Sequence, residues 1–199
     1  MARATARLGR LAANSTSFFL CDMQEKFTKT IRYFDDIVAV QQRLIAAANT
    51  LNIPLIATEQ YPQGLGKTVS SLDTSKAKGI FPKTDFSMLV PETEALLKEM
   101  PHVKSIVLFG IETHVCIHHT AIDLIDKDYE VHIVADAVSS RSMVDRMYGI
   151  ERLRQSGAYI TTSECVLLAL MGGSKHPQFR DIQKLIATSA PETGLLSKL

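Results

Sequence analysis

The chain is short of several things at once, and each shortage removes a class of function. Its three cysteines, Cys21, Cys116 and Cys165, form no C-x-x-C pair and no metal-ligand spacing. That excludes a disulfide framework or a zinc module and fits free thiols in a reducing compartment. Neither charge is in excess, with 22 Lys and Arg against 21 Asp and Glu, so no basic face is available for nucleic acid or an anionic membrane. No apolar run reaches the roughly 18 residues of a membrane span. Internal repeats and a second composition regime are both missing. The stretch GLGKT, ending at Thr68, lacks the G-x-x-x-x-G-K-[ST] spacing of a phosphate loop. What remains is 199 residues, 46% of them hydrophobic, enough for one sizeable core and suited to a small neutral substrate.

What is present is organised around Val103 to Lys127. Ile106, Val107, Leu108 and Phe109 form an apolar run typical of a strand covered on both faces of a parallel sheet. Gly110 ends it. Val115, Ile117, Ala121, Ile122, Leu124 and Ile125 then follow helical spacing, with Thr113 as N-cap, which puts Cys116 at about the third helical position. A thiol there meets unpaired amides at the positive end of the helix dipole, which favours the thiolate. The competing reading is a cysteine that only packs.

The first strand, Ser17 to Cys21, runs straight into Asp22. Carboxyl ends of strands face the ligand crevice of a doubly wound sheet, so Asp22 is a candidate base; it serves equally as a loop aspartate capping the next turn. Gln24 and Phe27 either line that crevice or pack the loop. A helix is predicted from Phe34 to Leu51 and a strand from Leu55 to Thr58, followed by some twenty residues without periodicity. A loop that long inside a domain is usually functional, and Gln60 to Gly66, including Tyr61, reads as a pocket rim. Lys83, after Ile80, Phe81 and Pro82, is either a snorkelling surface lysine or a cation held near an acid and a thiol.

Further elements follow in alternation: helices over Pro91 to Met100 and Ser142 to Gly157, strands over Glu130 to Ala135 and Tyr159 to Thr162, and a last helix capped by Ser163. Strands alternating with helices predict an α/β fold with a mostly parallel sheet over residues 17–171. Residues 1–16 carry Arg3, Arg7 and Arg10 and no acid, a composition shared by a mitochondrial presequence and a flexible solvated terminus. The reading is cytoplasmic, with mitochondrial import open. The tail, 172–199, packs on the body or on another subunit.

Three motifs in order carry a resemblance: D-x-Q-x-x-F at Asp22, Gln24 and Phe27, the lysine at Lys83, and GIETHVCI from Gly110 to Ile117. Together they resemble the isochorismatase-like cysteine hydrolases, which include nicotinamidases, carbamoylsarcosine amidases and isochorismatases. FLCDMQEKF, TEQYPQGLG, SSRS, GIERLRQSGA and HPQFRDIQKL look most like the eukaryotic isochorismatase domain-containing proteins. The resemblance implies a three-layer α/β/α fold around a six-stranded, Rossmann-like sheet. It implies a triad in which Asp22 takes the thiol proton, Lys83 holds acid and thiolate together, and Cys116 attacks a carbonyl carbon. It also implies a cis peptide at Ile111–Glu112 that aims the Glu112 and Cys116 amides as an oxyanion hole.

Gln24, Phe27, Gln60, Tyr61 and Thr113 are then the candidate substrate contacts. Where nicotinamidases bind a metal, this chain has Thr58, Glu59, Gln60 and Tyr61, while His114, His118 and His119 are all on the central helix, the last two on different faces. The expectation is a metal-free hydrolase without cofactor, acting on an amide or related C–N bond of a small molecule, as a homodimer or larger homo-oligomer. The alternative is a binding or scaffold protein that keeps the fold without efficient turnover. A redox role for Cys116 would need a resolving thiol, and Cys21 is expected to point into the sheet layer instead.

Overall fold

The apolar runs become the strands of one sheet. In the computed structural model, which describes residues 8–195, these are β1 (Thr16–Cys21), β2 (Leu55–Gln60), β3 (Gly79–Lys83), β4 (Ser105–Ile111), β5 (Glu130–Ser139) and β6 (Tyr159–Thr161). They lie in the order β3-β2-β1-β4-β5-β6, and each neighbouring pair is parallel. Every residue of β1 and β4 is buried, as a parallel sheet covered on both faces requires. The helices are α1 (Phe34–Leu51), α2 (Pro62–Leu65), α3 (Pro91–Glu99), α4 (Cys116–Asp126), α5 (Met143–Gln155), α6 (Ser163–Met171) and α7 (Phe179–Leu185). α1 packs with α6 and α7 on one face, and α4 with α5 on the other. Lys127, just past α4, pairs with Glu94 of α3 at 2.8 Å. The result is the parallel α/β sheet that the alternation implied, in the three-layer, doubly wound arrangement that the resemblance implied.

Several boundaries differ from the sequence reading, each because a distant partner intervenes. β2 continues to Gln60, because Gln60 pairs with Lys83 at the end of β3. β5 runs past Asp136 to Ser139: Leu108 faces Ile133 but Gly110 faces Val138, so β5 bulges between them. Asp136 therefore does not end the strand. Its carboxylate accepts from the Ser163 amide and hydroxyl at 2.8 and 2.6 Å. Ser163 is the first residue of α6 and not its cap; Thr162 caps it by accepting from the Cys165 amide.

The start of α4 is the correction that matters for function. Thr113 does not cap it, since its amide donates to Ser139 O of β5 and its buried Oγ1 has no partner. Val115 stands at the cap position and Cys116 is the first helical residue. The thiol still sits in the first turn, where amides lack intrahelical partners.

At the amino end, residues 8–15 are not a free terminus: Leu11 and Ala13 pack against the core. Arg3 and Arg7 lie outside the described residues. At the other end the tail folds back on the body. α7 packs on α1, Ile182 is buried, and Arg43 donates to Thr188 O and Ser189 O. Arg146 of α5, fully buried, donates to Thr193 O at 2.6 Å and to Thr193 Oγ1 and Ala135 O at 3.1 Å.

Candidate active site

Strand order reverses between β1 and β4, and a ligand crevice is expected beyond the carboxyl ends of strands at such a switch point. One residue sets how close the two strand ends come. Gly110 has φ +122°, and a Cβ built on it would lie 2.1 Å from the carbonyl oxygen of Cys21. Only glycine permits that approach. It brings the turn after β4 against the residues that end β1.

Asp22, at that end of β1, takes a left-handed backbone with φ +49° and is 1% exposed. Its amide donates to Thr58 O at 3.2 Å and its Oδ1 accepts from Thr58 Oγ1 at 2.7 Å. Its Oδ2 has the Lys83 ammonium at 2.7 Å and accepts no other hydrogen bond. Lys83 is 4% exposed, so this is not a snorkelling lysine. Its Nζ donates to Gln60 Oε1 at 2.6 Å and to the carbonyls of Asp85 and Phe86 at 3.1 and 3.0 Å. Burial alone would lower the Lys83 pKa, but Cys21, Asp22 and Cys116 around it raise it above the ordinary value, which keeps the ammonium charged.

The turn after β4 is held from β5. The Ile111–Glu112 peptide is cis. Glu112 Oε2 accepts from the amide and Nε of Arg141 at 3.0 and 3.2 Å, and His114 Nδ1 lies 3.0 Å from Ser140 Oγ. Among the described residues, neither the Glu112 nor the Cys116 amide donates a hydrogen bond to the protein.

Cys116 is 8% exposed. Its sulfur, the Cys21 sulfur and a carboxylate oxygen of Asp22 all lie within 4.8 Å of one another. Cys21 was expected to point into the sheet layer away from this site, and it does not. A strand side chain leaves the sheet roughly perpendicular to it, and Cys21 emerges where the start of α4 covers the strands. Burial first, then the adjoining Cys116 and the Asp22 carboxylate, push the Cys21 thiol well above its ordinary pKa, against the Lys83 charge.

The structure thus brings Asp22, Lys83 and Cys116 together. The remaining sequence candidates divide. Gln24 is fully buried and spent on the rim: Oε1 accepts from the Gln60 amide, and Nε2 donates to Gln60 O and Gly66 O at 2.9 and 2.7 Å. Gln60 in turn holds Lys83 and, through Nε2, Thr84 O. Phe27 packs against the core. Thr113 is buried and tied to β5.

Tyr61, 55% exposed, lines a cavity of about 320 Å³ with Pro62, Gln63, Lys83, Asp85 and Pro91. A larger cavity, about 650 Å³, opens at the opposite edge, where β4 and β5 begin, and is lined by Lys98, Lys104, Lys127 and Tyr129 without a nucleophile. Sequence reasoning missed Thr58, which orients Asp22, and the Glu112–Arg141 pair. The SSRS segment carried Arg141 as a resemblance only.

Thr58, Glu59 and Gln60 are engaged with Asp22, Thr68 and Lys83. The His118 and His119 rings, adjacent in sequence, meet edge to edge with centroids 5.7 Å apart. Burial, then His119 and Arg152, lower the His118 pKa. Among the described residues, the one group of three with ligand spacing is Cys21, Asp22 and Cys116. The cation beside that group is the Lys83 ammonium.

Fold and site define a doubly wound α/β protein with a buried cysteine, aspartate and lysine at its switch point. Residues 16–165 match the isochorismatase domain, and the chain belongs to this family of isochorismatase-like hydrolases. It is 58% identical over 192 residues to isochorismatase domain-containing protein 1 of Danio rerio, spanning 96% of this chain and 68% of that protein. The solved structure of MAR1 ribonuclease from Caenorhabditis elegans is similar at TM-score 0.90 and 50% identity, covering 96% of this chain and all of that one. The Escherichia coli YcaC gene product, described as an octameric hydrolase of unknown specificity, shares the fold at TM-score 0.77 and 23% identity, over 90% and 97% of the two chains.

Proposed function

We propose that the protein is a metal-independent cysteine hydrolase that cleaves an amide or related C–N bond of a small molecule. The observation that carries this reading is the meeting of the Cys116 sulfur with an Asp22 carboxylate within 4.8 Å, Asp22 being fixed from two sides by Thr58 and Lys83. Asp22 takes the Cys116 proton and the sulfur attacks the carbonyl carbon, opening the C=O bond to a tetrahedral oxyanion. The amides of Glu112 and Cys116 receive that oxygen. Collapse breaks the C–N bond, the amine leaves with the proton from Asp22, and a thioester remains on Cys116. Water, deprotonated by Asp22, releases the acid and restores the thiol. Lys83 keeps the Asp22 charge and the thiolate paired in a site from which bulk water is excluded.

The cavity beside Tyr61 and Lys83 is the entry for the substrate in this reading, and its size suits a small molecule. A homo-oligomer is proposed from the exposed Val144 and Tyr148, one turn apart on α5, and from the octameric state described for YcaC. Three free cysteines fit a cytoplasmic or other reducing compartment. No helix among the described residues is long and apolar enough to cross a membrane.

The test is a panel of small primary and N-substituted amides, following amine release and trapping of the thioester with hydroxylamine. Turnover in the wild type with loss to background in Cys116→Ala supports the reading. An RNA oligonucleotide in the same panel covers the chemistry named for the C. elegans relative. Amine release that survives Cys116→Ala, or cleavage of RNA alone, overturns it.

A further inference from the structure

The catalytic reading uses one of the two thiols at the switch point and leaves the other unexplained. Cys21 is fully buried and lies with its sulfur within 4.8 Å of both the Cys116 sulfur and an Asp22 carboxylate oxygen. Only Cys116 of the pair has any solvent exposure, so only Cys116 can meet a small oxidant first. Cys165, the third free thiol, is on the exposed side of α6.

We propose that Cys21 is a resolving thiol: a hydroperoxide oxidises Cys116 to the sulfenic acid, and Cys21 then closes a Cys21–Cys116 disulfide. The inference rests on the reactivity of Cys116 assigned under the proposed function. In the first step the Cys116 thiolate attacks the terminal peroxide oxygen; an S–O bond forms and the O–O bond breaks. The sulfur loses two electrons, and the alkoxide or hydroxide leaves as alcohol or water with the proton that Asp22 took from the thiol.

In the second step Cys21 gives its proton to Asp22 and attacks the Cys116 sulfur. The S–S bond forms, the S–O bond breaks, and the oxygen leaves as water carrying that proton. A thiol reductant reverses the product by exchange. Closing the bond takes the sulfurs from within 4.8 Å of each other to the bonding distance of about 2.05 Å.

This arrangement explains a buried thiol beside a nucleophile better than packing does. Cys21 stays protonated and inert at neutral pH, because burial and the neighbouring anionic groups disfavour its thiolate, so it does not compete with Cys116 for substrate. Once Cys116 is a sulfenic acid, the same proximity makes Cys21 the first nucleophile that acid meets. The disulfide holds the nucleophile in a reducible form and spares it the irreversible sulfinic state.

The experiment exposes the purified full chain to hydrogen peroxide, blocks remaining thiols with N-ethylmaleimide and maps peptides without reduction by mass spectrometry. The expected product is a Cys21-peptide linked to the Cys116-peptide, removed by dithiothreitol and unchanged in Cys165→Ser. In Cys21→Ser the link is absent and Cys116 sulfinic acid rises several-fold. The wild-type map decides the matter whether or not that variant folds. If Cys116 is alkylated by iodoacetamide but peroxide yields its sulfinic acid with no Cys21 link, the resolving role is wrong and the nucleophile stands. If Cys116 resists both reagents, both readings fall.

Discussion

Replacing Gly110 with alanine tests the geometry from which the site is built. The added Cβ would sit 2.1 Å from Cys21 O, 2.7 Å from Cys21 N and 2.9 Å from Cys21 C, all backbone atoms in the middle of the sheet. No side chain can rotate away, so β1 and β4 must separate at their carboxyl ends by about an ångström. The left-handed φ of +122° adds about 1–3 kcal/mol for a residue with a Cβ, and overpacking a filled core costs about 1–3 kcal/mol more. A loss of about 4 kcal/mol is expected, read as a lower urea midpoint at unchanged slope.

The control is Gly157→Ala, where φ is +99° but nothing lies within 4 Å of the new Cβ; only the backbone cost applies there. Separation of the strand ends also carries Cys116 away from Asp22, so Gly110→Ala that remains folded in dilute buffer alkylates more slowly at Cys116, whereas Gly157→Ala does not. Equal stability of the two variants would refute the close contact.

Three further outcomes follow from individual side chains. Thr58→Val removes the hydroxyl that donates to Asp22 Oδ1, leaves that oxygen unsatisfied at a cost of about 1–3 kcal/mol, and slows Cys116 alkylation without changing the fold. His132, buried with its Nε2 unpartnered and stacked on Tyr159 at 4.9 Å, has its pKa lowered to about 4 by burial. The unfolded chain binds a proton there from about pH 6.5 downward while the folded chain does not, so stability falls as pH drops from 6.5 towards 4, by up to about 3 kcal/mol. In His132→Phe, urea midpoints across that range should lose this part of the slope. Arg146→Met strips the donors from Thr193 O and Ala135 O, which costs about 3 kcal/mol and frees the tail. Limited proteolysis should then cut after residue 186 well before the wild type is cut.

The strands were legible because both faces of β1 and β4 are covered, which forces dense apolar runs such as FFLC and IVLF into the sequence. Asp22 was legible for a related reason, since an acid directly after such a run falls at a strand end, and Cys116 because a helical pattern follows the second run and places the thiol in its first turn. What could not be read was set by distant partners. Thr113 looks like a helix cap in its local sequence, yet its amide belongs to Ser139, 26 positions on, and the helix begins three residues later. Gln24 looks like a pocket residue, but the Gln60 and Gly66 backbone claims its side chain. Cys21 was misplaced because period-2 alternation says that a side chain leaves the sheet without saying which helix covers that face.

The most direct test of the central claim, that Asp22 and Lys83 make Cys116 a nucleophile, is the rate of Cys116 alkylation by iodoacetamide at neutral pH. It is followed by peptide mass spectrometry in the wild type, Asp22→Asn and Lys83→Ala, with folding of each checked by thermal melting. Cys165, exposed and free, serves as the internal standard within each sample. The account predicts that wild-type Cys116 reacts faster than Cys165 despite its burial, and that either substitution slows Cys116 while leaving Cys165 unchanged. A Cys116 that reacts more slowly than Cys165 in the wild type, or at the same rate in all three folded proteins, would contradict it.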